Sequence, residues 1–316
     1  MVSRTRAKPG IALLATMLAI ALMTLLVVDF TTEASLDYRS AANQINDLRA
    51  YYLARSGVQV GVALLAEQAR MNAGLPHPYF ALTQPWAAPF PPLPVEGGTA
   101  SVTVVDDARK LNINQLVNPR TGQVNPQFLA VLTNLFGIIG VDPGIIPAIV
   151  DWLDPDSVES VGGAEADYYM QLVPPYAPRN GPMPTLGDLR MVRGINTPIF
   201  MLLSQFLTAA PEYQVNANTA PPAVLAALDP ALAANPNMIK EILLARSEQP
   251  FQTVLDVANL PDLGQVGNDL MKVLTTTGSY FTITATGTYA ASRRLIQATV
   301  RLNPNGTAML VSWREI

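Results

Sequence analysis

An unbroken apolar run, Ile11 to Val28, opens the chain, and no charge interrupts it before Asp29. A helix rises about 1.5 Å per residue and about 20 residues cross the hydrocarbon core of a bilayer, so residues 11–28 predict one transmembrane helix. The helical pattern continues past it. No proline occurs between Phe30 and Arg70, and Leu36, Ile45, Leu48, Tyr52, Val58 and Leu65 recur at three-to-four spacing, which predicts one apolar face. The expected element is a single helix from about residue 11 to 71, roughly 90 Å long if continuous. Its first half belongs in the membrane and its second half against a globular core. The β-branched pair Thr31-Thr32 is where it would break if the anchor and the domain were separate.

After the helix the pattern changes. Residues 76–94 are rich in proline, which forbids a regular helix or central strand and predicts an extended surface loop. Thr99 to Val105 alternates with the period of a half-buried strand. An internal repeat follows. Leu111-Asn112-Ile113-Asn114 precedes helices predicted over 126–136 and 143–153, and Val215-Asn216-Ala217-Asn218 precedes helices over 221–228 and 236–247. Asparagine side chains bond local backbone and cap helices, which gives both segments a structural cause. Residues 185–195 read as a helix and a tight turn at Gly194 leading into a second helix from about Thr197-Pro198, and residues 253–264 have the same shape. Alternation returns over 280–287 and 294–302, and 309–313 adds a third strand. The expected fold is α+β, with a long N-terminal helix packed on an antiparallel sheet and a large, mainly helical domain inserted in it. In residue terms this gives the helix over 11–71, the α+β part over 72–110 and 276–316, and the insertion over 111–275.

Charge fixes the direction of the first helix. Arg4, Arg6 and Lys8 precede the apolar run and Asp29, Glu33 and Asp37 follow it, so the positive-inside bias places the N-terminus in the cytoplasm and the remainder outside. A net charge of −4 disfavours a protein whose main work is to grip phosphates. The absence of cysteine removes disulfides, thiolate nucleophiles and cysteine zinc sites together. The single histidine, His77, lies between two prolines and reads as a solvated loop residue rather than a supported general base.

The densest chemistry is acidic: Asp151, Asp154 and Asp156, then Glu159, Glu165 and Asp167. Carboxylates this close repel unless they are solvated or share a cation, and calcium accepts six to eight oxygens from flexible loops. Asp154, Asp156 and Glu165 fall at the first, third and twelfth places of a calcium-loop template, but Val158 and Glu159 stand where a ligand and a glycine belong, so this is not an EF-hand. A solvated acidic turn is the plainer alternative. Paired carboxylates also serve glycosidases, yet neither an aromatic sugar platform nor a nucleophile motif accompanies them, so no enzyme is expected. The two helix-turn-helix segments resemble helix-hairpin-helix units, which bind phosphate through backbone N–H groups near two glycines. Here Asn196 and Asp262 replace the expected glycines, and a carboxylate there repels phosphate. A membrane-anchored DNA-binding protein of the uptake kind is therefore the alternative reading.

Lys8-Pro9-Gly10 before the apolar run resembles a prepilin leader, which places cleavage between Gly10 and Ile11. Pilin-like subunits carry glutamate at the fifth mature position; Ala15 stands there instead. Together with Leu111-Asn112-Ile113-Asn114, Asp151-Trp152-Leu153-Asp154, Gly163 to Tyr169, Pro178-Arg179-Asn180 and Val215 to Pro221, these features resemble the minor pseudopilin K family of type II secretion systems. The resemblance implies a pilin-like fold with a helical insertion, a leader over 1–10 removed by prepilin peptidase, and methylation. It implies an inner-membrane, single-pass protein with a periplasmic domain, and a tip complex with minor pseudopilins I and J that caps a periplasmic pseudopilus and helps start its assembly. It also implies calcium, with Asp154, Asp156, Glu165 and Asp167 as candidate ligands. Ala15 becomes the determinant of a tip position, because the missing glutamate is the group that meets a neighbouring subunit's amine. Nucleic acid is not an expected partner.

Overall fold

The computed structural model describes residues 9–88, 91–95, 97–303 and 305–316. Arg4, Arg6 and Lys8, on which the predicted orientation rests, lie outside them. One helix, α1 (Pro9–Asn72), runs through Thr31-Thr32 without a break. Both threonine hydroxyls donate back to carbonyls one turn earlier, which keeps them compatible with the helix. At 64 residues α1 is about 96 Å long. Gly10 to Ala41 are all exposed, as an anchor without a bilayer around it would be.

The second half of α1 lies on a five-stranded antiparallel sheet. The strands are β1 (Leu93–Val95), β2 (Gly98–Asp106), β7 (Tyr280–Tyr289), β8 (Ser292–Leu302) and β9 (Ala308–Glu315), hydrogen-bonded in the order β1-β2-β7-β8-β9. Strand β2 pairs with β7 from Gly98↔Tyr289 to Asp106↔Phe281, although over 170 residues of chain separate them. Period-two alternation puts Val102, Phe281, Ile283, Ala285, Ile296, Ala298 and Val300 under the helix.

The docking face of α1 differs from the expected one. Val58 and Leu65 are buried as predicted, but Leu36, Ile45, Leu48 and Tyr52 are exposed, and Ala50 and Ala54 take the contact instead. The cause is close approach. A Cβ on Gly287 would overlap the Ala50 carbonyl oxygen, and one on Gly61 would overlap Ile283, so the helix meets the sheet through its smallest residues. The proline-rich stretch also differs. Phe80 and Trp86 are buried against Phe281 as an edge-to-face cluster, and the Trp86 indole N–H donates to Gln84. Three aromatic rings outweigh the loop character of the prolines around them.

Between β2 and β7 the chain builds a second hydrophobic core. Its short strands are β3 (Leu111–Asn112), β4 (Leu207–Thr208), β5 (Val215–Asn216) and β6 (Leu274–Thr275). Its helices are α2 (Pro126–Ile139), α3 (Ile146–Leu153), α4 (Ala166–Tyr169), α5 (Thr197–Leu203) and α6 (Pro222–Ala227). They continue as α7 (Pro230–Ala234), α8 (Pro236–Glu248), α9 (Val254–Ala258) and α10 (Gly264–Leu270). Strand β3 pairs in parallel with β4, and β5 with β6, so each Asn-x-Asn segment opens a unit that a later short strand closes.

The second unit is tied to the sheet by buried polar groups. Asp106, at the end of β2, accepts from Asn216 Nδ2 and Thr219 Oγ1, each at 2.8 Å, and from the Ala108 N–H. Asn216 Nδ2 also donates to Phe80 O. Glu212 accepts from the N–H groups of Ser279 and Tyr280 where the chain re-enters the sheet. The helical part therefore leaves and rejoins at the Asp106–Phe281 end. The same end receives the last turns of α1, since Gly61 packs on Ile283 while Gly287 packs farther back on Ala50.

Candidate functional site

The carboxylate cluster forms where α3 ends. Proline stands at the second position of α3 and every other residue of the helix is buried, leaving Asp154 to cap it with extended backbone. Asp151, on the last turn, is fully buried, and its carboxylate accepts from the Ser160 N–H. That bond pulls the 159–163 loop onto α3 so closely that a Cβ on Gly163 would overlap the Asp151 carboxylate. Arg193, beside the tight turn at Gly194, holds the other side of the loop. Its Nη1 donates to Gly163 O at 2.7 Å and stands 3.8 Å from Glu159, and its guanidinium lies over the Tyr168 ring. The loop then delivers Glu165 to the start of α4.

Asp154, Asp156 and Glu165 thereby each bring a carboxylate oxygen within 4.8 Å of the other two. Asp154 and Glu165 are buried, and Asp154 Oδ1 and both Glu165 oxygens have no hydrogen-bond partner among the described residues. Burial, and then the charges of Asp151, Asp154 and Asp156, pushes the Glu165 carboxyl up to about 7. Burial, and then Asp156 and Asp151, pushes Asp154 up to about 6. A buried carboxylate with no donor is costly, and three converging hard oxygens are the donor set of a divalent cation. Asp167 is not brought into this group: it lies exposed in the first turn of α4, where the helix carries its side chain outward. One side chain not anticipated from the sequence bonds the backbone of this cluster. Asn180 Nδ2 donates to Asp156 O at 2.5 Å, and its Oδ1 is buried without a partner. Its 24-residue separation from Asp156 left no local spacing to read.

Ion binding requires the ionised carboxylates, so protons compete with it. Without an ion, both carboxyls hold their protons to higher pH in the folded than in the unfolded chain. The ion-free protein therefore loses stability as pH rises from about 4 to about 7. Calcium affinity is expected to run the other way, falling below pH 7 as Glu165 protonates and faster below pH 6 as Asp154 joins it. Each bound proton costs about tenfold per pH unit. Calorimetric titration at pH 8 and at pH 5.5 checks this, and equal affinities at the two would contradict it.

The remaining sequence candidates lie elsewhere. Gly10, Ile11 and Ala15 are exposed on the first turns of α1, and among the described residues nothing approaches a Cβ placed on Gly10. The two hairpin turns offer no phosphate cradle. At the first, the Asn196 side chain already accepts from the Ile199 N–H as the cap of α5. At the second, the Asp262 N–H donates to the Glu241 carboxylate, which occupies the place of an anion with a fixed negative charge.

Comparison with known proteins is consistent along the chain. Residues 109–212 and 215–277 match two family models, both described as type II secretion system (T2SS), protein K. The chain is 27% identical over 310 residues to the type II secretion system protein K of Pseudomonas aeruginosa, covering 95% of this chain and 91% of that one. It is 30% identical over 234 residues to that of Klebsiella pneumoniae, covering 70% of each. Among solved structures, a chain of the GspK-GspI-GspJ complex from the type 2 secretion system of enterotoxigenic Escherichia coli matches with a TM-score of 0.72. That match has 21% identity and covers 88% of this chain and 99% of the other.

Proposed function

The chain belongs to the type II secretion system protein K family, and on that footing we propose that it is the minor pseudopilin that forms and caps the pseudopilus tip. The carrying observation is the position of the helical part. It leaves and rejoins the sheet at Asp106 and Tyr280, the end reached by the last turns of α1. In a filament built from stacked parallel helices, a mass at that end covers the place where a further subunit would add. Ala15 supports the same role, because an alanine cannot supply the negative charge that a glutamate offers to a neighbouring N-terminus.

The chain acts by assembly, not catalysis. Prepilin peptidase cleaves between Gly10 and Ile11, and residues 11–28 then hold the subunit in the inner membrane with its folded part in the periplasm. The exposed apolar residues of α1, among them Ile45, Leu48 and Tyr52, offer a surface for helices of other subunits. Its partners in the tip are minor pseudopilins I and J, by analogy with the GspI and GspJ that accompany GspK in the Escherichia coli complex. Calcium is held by Asp154, Asp156 and Glu165. When bound it supplies the positive charge that these buried oxygens lack, and it ties the end of α3 to the loop before α4.

Co-expression with pseudopilins I and J of the same cell tests the partnership. One complex surviving gel filtration is expected. Elution of this chain alone, or retention of DNA at moderate salt, would contradict it.

A further inference from the structure

The two units of the helical part are copies of one design, and only one has its outer cleft filled. In each, the first asparagine accepts from the N–H of the second: Asn112 from Asn114, and Asn216 from Asn218, both at 3.0 Å. The second asparagine then exchanges two hydrogen bonds with the backbone of one distant residue. Asn114 does so with Met183, and Asn218 with Phe251. Each of these follows a proline, Pro182 or Pro250, and each precedes a threonine–aspartate pair. Thr185 donates to Asp188 in the first copy, and Thr253 forms a capping box with Asp256 in the second. At the same offset Met191 corresponds to Asn259.

In the first copy the chain covers this surface with its own residues. Tyr176 Oη donates to Met191 O at 2.8 Å, Arg179 Nε donates to Pro182 O at 2.6 Å, and Arg179 Nη1 lies 3.9 Å from Asp188. These residues belong to the long 154–181 segment. The second copy has no such segment: α8 ends at Glu248 and passes through Gln249 straight into Pro250. The corresponding surface is an open cleft of about 790 Å³. Its lining includes Pro250, Asp256 and Asn259, the counterparts of the residues that Arg179 and Tyr176 engage, with Glu248 and His77 alongside. Among the described residues the lining carries two carboxylates, Glu248 and Asp256, and no lysine or arginine.

We propose that this cleft docks an extended segment of a partner protein carrying a tyrosine and, three residues on, an arginine, the pair with which the first copy fills its own cleft. The tyrosine hydroxyl donates to the Asn259 carbonyl, and the guanidinium donates to the Pro250 carbonyl and faces Asp256 and Glu248. A proline between them, as Pro178 stands in residues 176–179, keeps such a segment extended at low entropic cost. The site is separate from α1 and from the carboxylate cluster, so it does not depend on the calcium reading.

The probe is a fluorescent peptide copying residues 174–181, titrated into the full-length chain in detergent micelles. Saturable binding is expected. It should weaken about tenfold or more in Glu248→Arg, where arginine in the last turn of α8 also suits the helix end. A peptide with Arg179→Glu should bind the unaltered chain equally poorly and recover on Glu248→Arg, a rescue that general damage to the fold would not produce. A benzophenone at the tyrosine position should cross-link within residues 248–259. No saturation by about 1 mM, affinity indifferent to both charge reversals, or cross-links confined to residues 182–191 would overturn the proposal. Peptide-sensitive dimers in sedimentation would overturn it too, by making a second copy of this chain the occupant.

Discussion

A chain with Gly10→Phe is expected to accumulate in the membrane as the uncleaved precursor, and secretion by its system is expected to fall to background. Gly10 has no Cβ, and a peptidase that accepts glycine before the cut has no room for a ring. In the folded chain Gly10 is exposed and, among the described residues, nothing lies within 4 Å of a Cβ placed there, so the phenylalanine leaves their fold as it was. Failure to process is then distinguishable from failure to fold. The melting curve of the precursor should match that of the native chain, while mass spectrometry of the membrane fraction shows the leader still attached. Normal cleavage and normal export in this variant would contradict the leader reading.

The second large effect is expected from removal of calcium. An ion present at about 100 times its dissociation constant stabilises the folded chain by about 2.7 kcal/mol. In a chain of 316 residues that corresponds to roughly 4 °C in melting temperature. A chelator should therefore lower the melting temperature by that amount, and added calcium should restore it while magnesium in equal amount should not. The double variant Asp154→Asn with Glu165→Gln should be indifferent to chelator, because neutral amides at the two buried positions relieve the repulsion and remove the charge that attracts the ion. Asp167→Asn should respond like the unaltered chain, since Asp167 is exposed and outside the cluster. A chelator response that persists in the double variant, or one lost with Asp167, would mean that the ion is held elsewhere.

Much of this architecture was legible in the residues, and the misses share a cause. The long helix, the strand over 99–105 and the returning strands at the end announced themselves through local periodicity, as did the paired Asn-x-Asn segments. What periodicity could not report was which face of α1 docks. The large apolar residues Ile45, Leu48 and Tyr52 looked like a core stripe, yet a helix that must come within backbone contact of Gly287 uses Ala50 and Ala54, and its larger side chains remain outside. Trp86 was misread because the prolines around it speak of loop, whereas its partner Phe281 is almost two hundred residues away. The carboxylate cluster divides the same way. Asp154 and Asp156 are local neighbours, and Glu165 completes them through a short loop, but Asn180 arrives from 24 residues on and carried no spacing signal. Asp167, named by carboxylate density and by the family resemblance together, lies exposed in the first turn of α4, apart from Asp154, Asp156 and Glu165.

The account rests on this chain standing at the end of a filament, and its position there can be seen directly. Pseudopili sheared from cells that overproduce the major subunit, with an epitope tag on the exposed Ile316 end of this chain, would be labelled with gold and imaged. The account predicts gold at one end of each filament and none along its length. Gold distributed along the filaments would contradict it, because the helical part at Asp106 and Tyr280 would then not prevent further subunits from adding above it.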